Sequence, residues 1–436
     1  MAHTNSLFFK PTWRSVCLAA AVVITTQAVS GAAWPQYRGL GHDGKTTERV
    51  SSKWPASGPK EIWKAPMAGG FSSITVADGR AFTLVLREVE GVQHEVVLAV
   101  DAATGKELWM VPLAPSKYDG GGDSGTNDNK GGDGPRSTPS VDGRMVYVMS
   151  ARLVLHGLDA KTGQKVWSKD LMKDHAGRNI SWQNAASPLV EGNAVYVAGG
   201  GVGQGLLAFD KKTGEVIWKG QDDKMTHATP VAATIQGVRQ VIFFTQTGLV
   251  SVAPKSGEVL WRYDFKYNVS TAISPVVAGD VVYCSAGYGV GAGSVKISKQ
   301  GGKLAATEVW RKTGQLMNHW STPVFKDGYL YGMFSFKEYG NGPLKCVELA
   351  TGKEVWSQAG FGPGNVTLAG DKLVVLSDAG HLVVVEANPK AYNELARAKV
   401  VSGKCWSTPT LSDGRVYARS TKEGVCVDVT GKLASR

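Results

Sequence analysis

The sequence predicts an all-β protein, an eight-bladed β-propeller of four-stranded antiparallel blades. Three observations predict it. A turn-and-strand unit ending in tryptophan recurs five times, a Pro-led strand pair recurs eight times, and an orphan strand near the front matches one missing at the back. Counted from 61 to 430, the repeat is about 46 residues long, the length of a four-stranded blade.

Composition agrees with short strands and tight turns. The 436 residues include 54 glycines and 13 tryptophans, with only 19% charged, and long Leu-, Ala- and Glu-rich stretches are scarce.

The tryptophan unit reads VDAATGKELW (100–109), LDAKTGQKVW (158–167), FDKKTGEVIW (209–218), VAPKSGEVLW (252–261) and VELATGKEVW (347–356), with a looser copy ending at Trp310. The alternating apolar run is a half-buried strand. An acid (in four of the five; Ala253 stands there in the unit at 252–261), two residues, Thr or Ser and then Gly make a hairpin turn, in which the carboxylate accepts backbone N–H groups and Gly takes φ > 0. The next strand carries the indole to one fixed face, suited to packing between neighbouring sheets.

The Pro-led element supplies the first two strands of each blade. It appears as STPSVDGRMVYV (137–148), ASPLVEGNAVYV (186–197), ISPVVAGDVVYC (273–284), STPVFKDGYLYG (321–332) and STPTLSDGRVYA (407–418). Divergent copies begin at 72, 228 and 365. The eighth unit ends near Asp428 with no tryptophan strand after it. KEIW at 60–63 has no turn before it and matches KELW at 106–109. Pairing Lys60 to Trp63 into the last blade closes the ring and removes two exposed sheet edges. The seventh unit (382–401) lacks both the TG turn and the tryptophan, as a blade with a reshaped last hairpin would; a ring of seven is the alternative count.

Residues 1–33 read as a secretory signal peptide: Lys10 and Arg14, then an apolar run from Val16 to Val29, then small residues at 30–33. A membrane anchor is the alternative, although the apolar run is short for a span. Cys17, preceded by Arg14, Ser15 and Val16, is a poor context for lipidation. The expected organisation is therefore a signal peptide (1–33), an N-terminal extension (34–60) and one propeller domain (61–436), located in the periplasm or secreted. It is expected to be monomeric and not membrane-spanning, with peripheral membrane contact left open.

The net charge is +11, or +9 once Lys10 and Arg14 are set aside. The basic residues are scattered at turns rather than clustered, which with export argues against a nucleic-acid partner. Cys284, Cys346 and Cys426 fall at small core positions, whereas Cys405 falls at the channel rim; no CxxC or adjacent pair occurs. GGGVGQG (199–205) joins two strands without a following helix, so the phosphate-loop reading fails. The Gly-, Asp- and Asn-rich segment 114–134 breaks the calcium-loop pattern and reads as a solvated loop.

The repeated D-x-x-[ST]-G-x-x-x-W unit resembles the PQQ-like propeller repeat family, within the quinoprotein alcohol dehydrogenase-like superfamily. WPQYRGLGHDG (34–44), GPRSTP (134–139) and KCVELATGKEVW (345–356) are similar to exported bacterial propellers of that kind. The resemblance covers nearly the whole chain beyond residue 33. It implies either a non-enzymatic propeller like the outer-membrane protein assembly factor or a quinoprotein alcohol dehydrogenase, so it sets the fold better than the function.

PQQ is a flat tricarboxylate quinone. An enzyme using it needs cations, an aromatic face, an oxygen-rich calcium site and a carboxylate base at the channel mouth, and the family's enzymes add a vicinal Cys-Cys pair. Aligning the Pro-led elements places Phe71, Arg136, Ala185, His227, Ala272, Trp320, Pro363 and Trp406 at that rim. Trp182, Gln183, Asn184, Asn318, His319 and Cys405 lie nearby. Arg136, Trp182, Asn184, His227, Asn318, His319, Trp320 and Trp406 are thus the candidate ligand-binding residues; the alternative is that Trp320 and Trp406 plug the channel. No acid occupies an aligned position, although Asp133 and Asp223 lie close by, and no residue is assigned to catalysis or metal binding. The expected function is a non-catalytic binding or scaffold propeller for a protein, peptide or glycan partner. A PQQ- and calcium-dependent oxidoreductase is the alternative.

Overall fold

In the computed structural model, residues 1–3, 33–115, 134–180, 182–269, 271–334 and 338–431 are described. The signal-peptide reading, Asp133 and most of the 114–134 segment fall outside them.

The repeats fold into eight sheets in a closed ring. Blade 1 shows the order from channel to rim: Thr75–Ala77, Arg80–Val89, Val92–Asp101 and Glu107–Pro115. The inner strands of the following blades are Ser140–Asp142, Leu189–Glu191, Val231–Ile235, Val276–Ala278, Val324–Lys326, Asn365–Ala369 and Thr410–Ser412. Because strands alternate in direction, every Asp-x-x-Thr-Gly turn falls at one end of the channel, the turn face. The links between blades fall at the other end, the link face.

The last sheet is completed from the front of the chain. Lys60–Pro66 is its outer strand, antiparallel to Glu423–Asp428, with Lys60 opposite Asp428 and Trp63 opposite Cys426. Eight apolar clusters, one at each blade interface, continue around the circle. The cluster joining blades 8 and 1 contains Trp63, Tyr417 and Cys426 together with Ile74, Val85 and Leu98.

The repeated tryptophans dock each blade onto the next. The Asp101 carboxylate accepts from Ala103 N (3.0 Å) and Thr104 N (2.9 Å), fixing the turn. Trp63 Nε1 donates to Ala102 O in that turn (3.0 Å), and the indole lies where a Cβ on Gly105 would stand, 2.7 Å away. Trp109, Trp167, Trp218, Trp310 and Trp356 likewise donate to a carbonyl of the following blade. Trp261 donates instead to Gln240 Oε1 in its own blade. The blade after it has no such turn, only a long hairpin, Gly291–Gln300 with Lys303–Lys312. In blade 7 the outer strand Glu394–Lys399 carries Ala396 in the tryptophan's place, opposite Val384 beside the bulge. Trp54 of the extension packs onto the same core cluster as Ala396 and Ala398.

The rest of the extension straps the turn face. Trp34 bridges to Val76, Pro35 O accepts from Val141 N (2.7 Å), and Gln36 Oε1 accepts from Val190 N (3.2 Å). Lys45–Thr46 then adds as a parallel fifth strand inside Asn365–Ala369. Arg38 is buried, and its guanidinium donates to Thr322 O (2.8 Å), Pro323 O (2.9 Å) and Asp43 O (2.9 Å). The sequence reading assigned these residues no role; they close one end of the channel.

Cys284, Cys346, Cys405 and Cys426 are all buried free thiols. Burial pushes the Cys405 thiol up to about 12, which keeps it protonated and inert.

Candidate functional site

The opposite end of the channel, at the link face, is lined by the residues that precede each inner strand. On one side it is aromatic. Trp406 stacks on Phe71 (centroids 4.7 Å apart, planes 22°) and on Trp320 (4.5 Å, 13°). Tyr339 lies parallel to Trp406 at 5.7 Å, and Lys404 Nζ sits 5.1 Å over the Trp406 ring. The other side is cationic and polar. Arg136 Nη1 donates to Trp182 O (2.8 Å), and His227 Nε2 lies 2.6 Å from Gln183 O. His319 packs edge-on to Tyr288 at 5.1 Å and against Trp320 at 4.8 Å.

Charge and burial set the chemistry of this mouth. Burial, then the Arg136 guanidinium, pushes His227 down to about 3, so the ring is neutral and its proton sits on Nε2, facing the Gln183 carbonyl. Asp223 is no general base: its carboxylate is buried, which alone would raise its pKa. Bonds from Arg262 (3.1 and 3.0 Å), Thr247 and Thr245 outweigh burial and hold it below the usual range.

Of the eight candidate residues, Arg136, His227, His319, Trp320 and Trp406 come together here. Asn184 and Asn318 do not. Asn184 is buried, with its amide spent on Ser150 O, Ala186 O and Ala186 N. Asn318 is buried, accepts from the Tyr283 hydroxyl (2.6 Å) and donates to Met333 O (2.7 Å). Both amides staple loops to strands, so neither is presented to a ligand. Trp182 gives its carbonyl to Arg136, while its side chain lines a separate pocket on the same face. Trp182 and Gln183 both have positive φ, +68° and +62°, a pair of left-handed non-glycine residues costing about 1–3 kcal/mol each. Tyr339 and Lys404 escaped the sequence reading. Tyr339 comes from the middle hairpin of blade 6, which follows no repeat, and Lys404 lies two residues before an aligned position.

The mouth does not fit PQQ. A third ring between Trp320 and Trp406 would need two van der Waals gaps, about 7 Å in all, and the rings are 4.5 Å apart. Among the described residues no group of three His, Cys, Asp or Glu side chains is placed to hold a metal ion. Asp223 is committed to Arg262, and Cys405, the only thiol near the rim among the described residues, has no cysteine next to it in sequence.

The comparisons with known proteins separate fold from function. The family profile described as "Outer membrane protein assembly factor BamB" matches residues 93–332 and 340–432. BamB of Moranella endobia (strain PCIT) is 25% identical over 54% of this chain and 60% of its own length. The chain thus spans less than two thirds of that relative. The dehydrogenase subunit of the quinone alcohol dehydrogenase of Komagataeibacter europaeus is 32% identical over 30% of this chain and 18% of its own. The quinohemoprotein alcohol dehydrogenase of Comamonas testosteroni superposes with a TM-score of 0.64 at 14% identity, covering 93% of this chain and 82% of that one. Such a likeness shows the propeller fold alone. The profile match takes in most of the blades, and on it the chain belongs to the family of the outer membrane protein assembly factor BamB.

Proposed function

We propose that this chain is an exported, non-catalytic propeller that binds a protein partner through its link face and acts as a scaffold. One observation carries the reading: the mouth is filled by its own stacked rings. Phe71 and Trp406 are buried in the stack and Trp320 is half-buried, so the mouth offers no chamber, and aromatic and arginine side chains such as the exposed Tyr288 and half-buried Arg136 around it are of the kind that anchor protein interfaces. The family relationship, to relatives named for outer-membrane protein assembly, supports the same reading. The periplasm or the cell exterior is the proposed location, supported by the composition of residues 1–33. Among the described residues no helix is long and apolar enough to cross a membrane.

Two measurements test this reading. Purified protein mixed with PQQ and calcium should gain no bound chromophore and show no alcohol-dependent dye reduction; stoichiometric binding with turnover would overturn it. A photo-crosslinking residue at Tyr288, on the link face, should trap a defined partner from the exporting cell's envelope. The same group at Val355, exposed on the outer strand of blade 6, should not. Equal trapping at both positions counts against the link face.

A further inference from the structure

A pocket of about 330 Å³ opens beside the mouth, between the loops leading into blades 3, 4 and 5, at the small end of the range that holds a ligand. Its lining is one-sided in charge. Arg178 and Lys224 supply two cations, Gln246 and Asn268 supply amides, Trp182 and Ile180 supply apolar surface, and among the described residues no carboxylate lines it. The nearby acids face other partners. The Asp222 carboxylate accepts from Gly203 N (2.6 Å), and Asp223 is clamped by Arg262.

The wall that carries Trp182 is built at a cost. Trp182 and Gln183 are consecutive left-handed residues, with Gln183 N bonded to Ile180 O (3.0 Å). Their carbonyls are fixed by Arg136 and His227 from the channel side. Strain kept in place by bonds from two other blades is found where a side chain must be held for a ligand. Arg178 is tethered only loosely, Nη2 lying 3.4 Å from Asp222 O, which leaves donors of its planar fork for an incoming carboxylate.

We propose that this pocket binds a single carboxylate on a compact apolar body, held by Arg178 and Lys224 with the body against Trp182 and Ile180. Both a free organic acid and the carboxyl-terminal residue of a polypeptide carry that chemistry. The inference stands on the pocket's own lining and needs neither the partner protein nor the stacked mouth.

Titration calorimetry of the full chain with N-acetylleucine and with a hexapeptide ending in a free leucine carboxylate tests it. Each acid is compared with its carboxamide. At least one acid should bind saturably and about tenfold more tightly than its amide, the worth of one charge-assisted contact. Binding of the free acid alone, or of the peptide alone, identifies the source. The double variant R178Q/K224Q should lose this preference while keeping its melting temperature, since both side chains are exposed. The proposal is overturned if neither acid binds, if acid and amide bind alike, or if the preference survives in the double variant. Should the double variant melt early, Trp182→Phe supplies the second reading. A shifted indole resonance that acid moves in the parent and that is missing in Trp182→Phe supports the site; acid-induced shifts that avoid it overturn the site.

Discussion

At Trp218 the indole N–H reaches Pro254 O of the next blade (2.8 Å), and the ring occupies the space a Cβ on Gly257 would take, 2.5 Å away. The turn glycine therefore answers two demands, a φ of +71° and contact with a neighbouring sheet. Trp218→Ala should cost about 3–5 kcal/mol, as deletion of a large buried aromatic does, measured as a shift of the urea midpoint at unchanged slope. Trp261 marks the limit of what spacing reveals. Its local sequence, KSGEVLW, matches the other units, yet its N–H goes to Gln240, because the acceptor turn belongs to a blade that lacks one. A residue's own repeat predicts where its side chain points; the partner depends on the repeat that follows.

Among the elements, the outer strand Lys60–Pro66 was legible because it duplicates KELW and because the last unit lacked a strand. Its six paired positions with Glu423–Asp428 agree with that reading. The strap at 34–51 was not legible, since it repeats nothing and its bonds run to six different blades. Glu48, for example, accepts from Gly414 N (2.6 Å), and Ser51 N donates to Val429 O (2.7 Å). At the rim, alignment on proline found the aromatic and cationic residues but could not separate side chains facing the channel from Asn184 and Asn318, which turn inward to satisfy backbone groups. Deleting residues 34–66 should expose the free edge of Glu423–Asp428 and the cluster holding Tyr417 and Cys426. Light scattering should show aggregation; a monomer as stable as the parent would refute closure by this strand.

Over the whole molecule, three buried histidines tie stability to pH. Burial is the main cause of depression at each, to about 4 at His42 in the strap, about 4 at His156 in blade 2 and about 3 at His227 at the mouth. A group depressed on folding binds fewer protons in the native state than in the unfolded one. Its contribution is therefore complete above about pH 6.5 and is lost as pH falls toward the folded value. Melting temperature should drop between pH 6.5 and 5, with each histidine contributing on the order of 1 kcal/mol per pH unit toward the lower end. His227→Gln should flatten that slope, and an unchanged profile would exclude His227 as a contributor. Closure of the ring also bears on the order of events during synthesis. The segment carrying Trp63 leaves the ribosome hundreds of residues ahead of its mate at Cys426, so the final seam waits until the strand carrying Cys426 has been made. Until then the nascent chain is an open arc with two sticky rims, the interval in which a holding chaperone matters most.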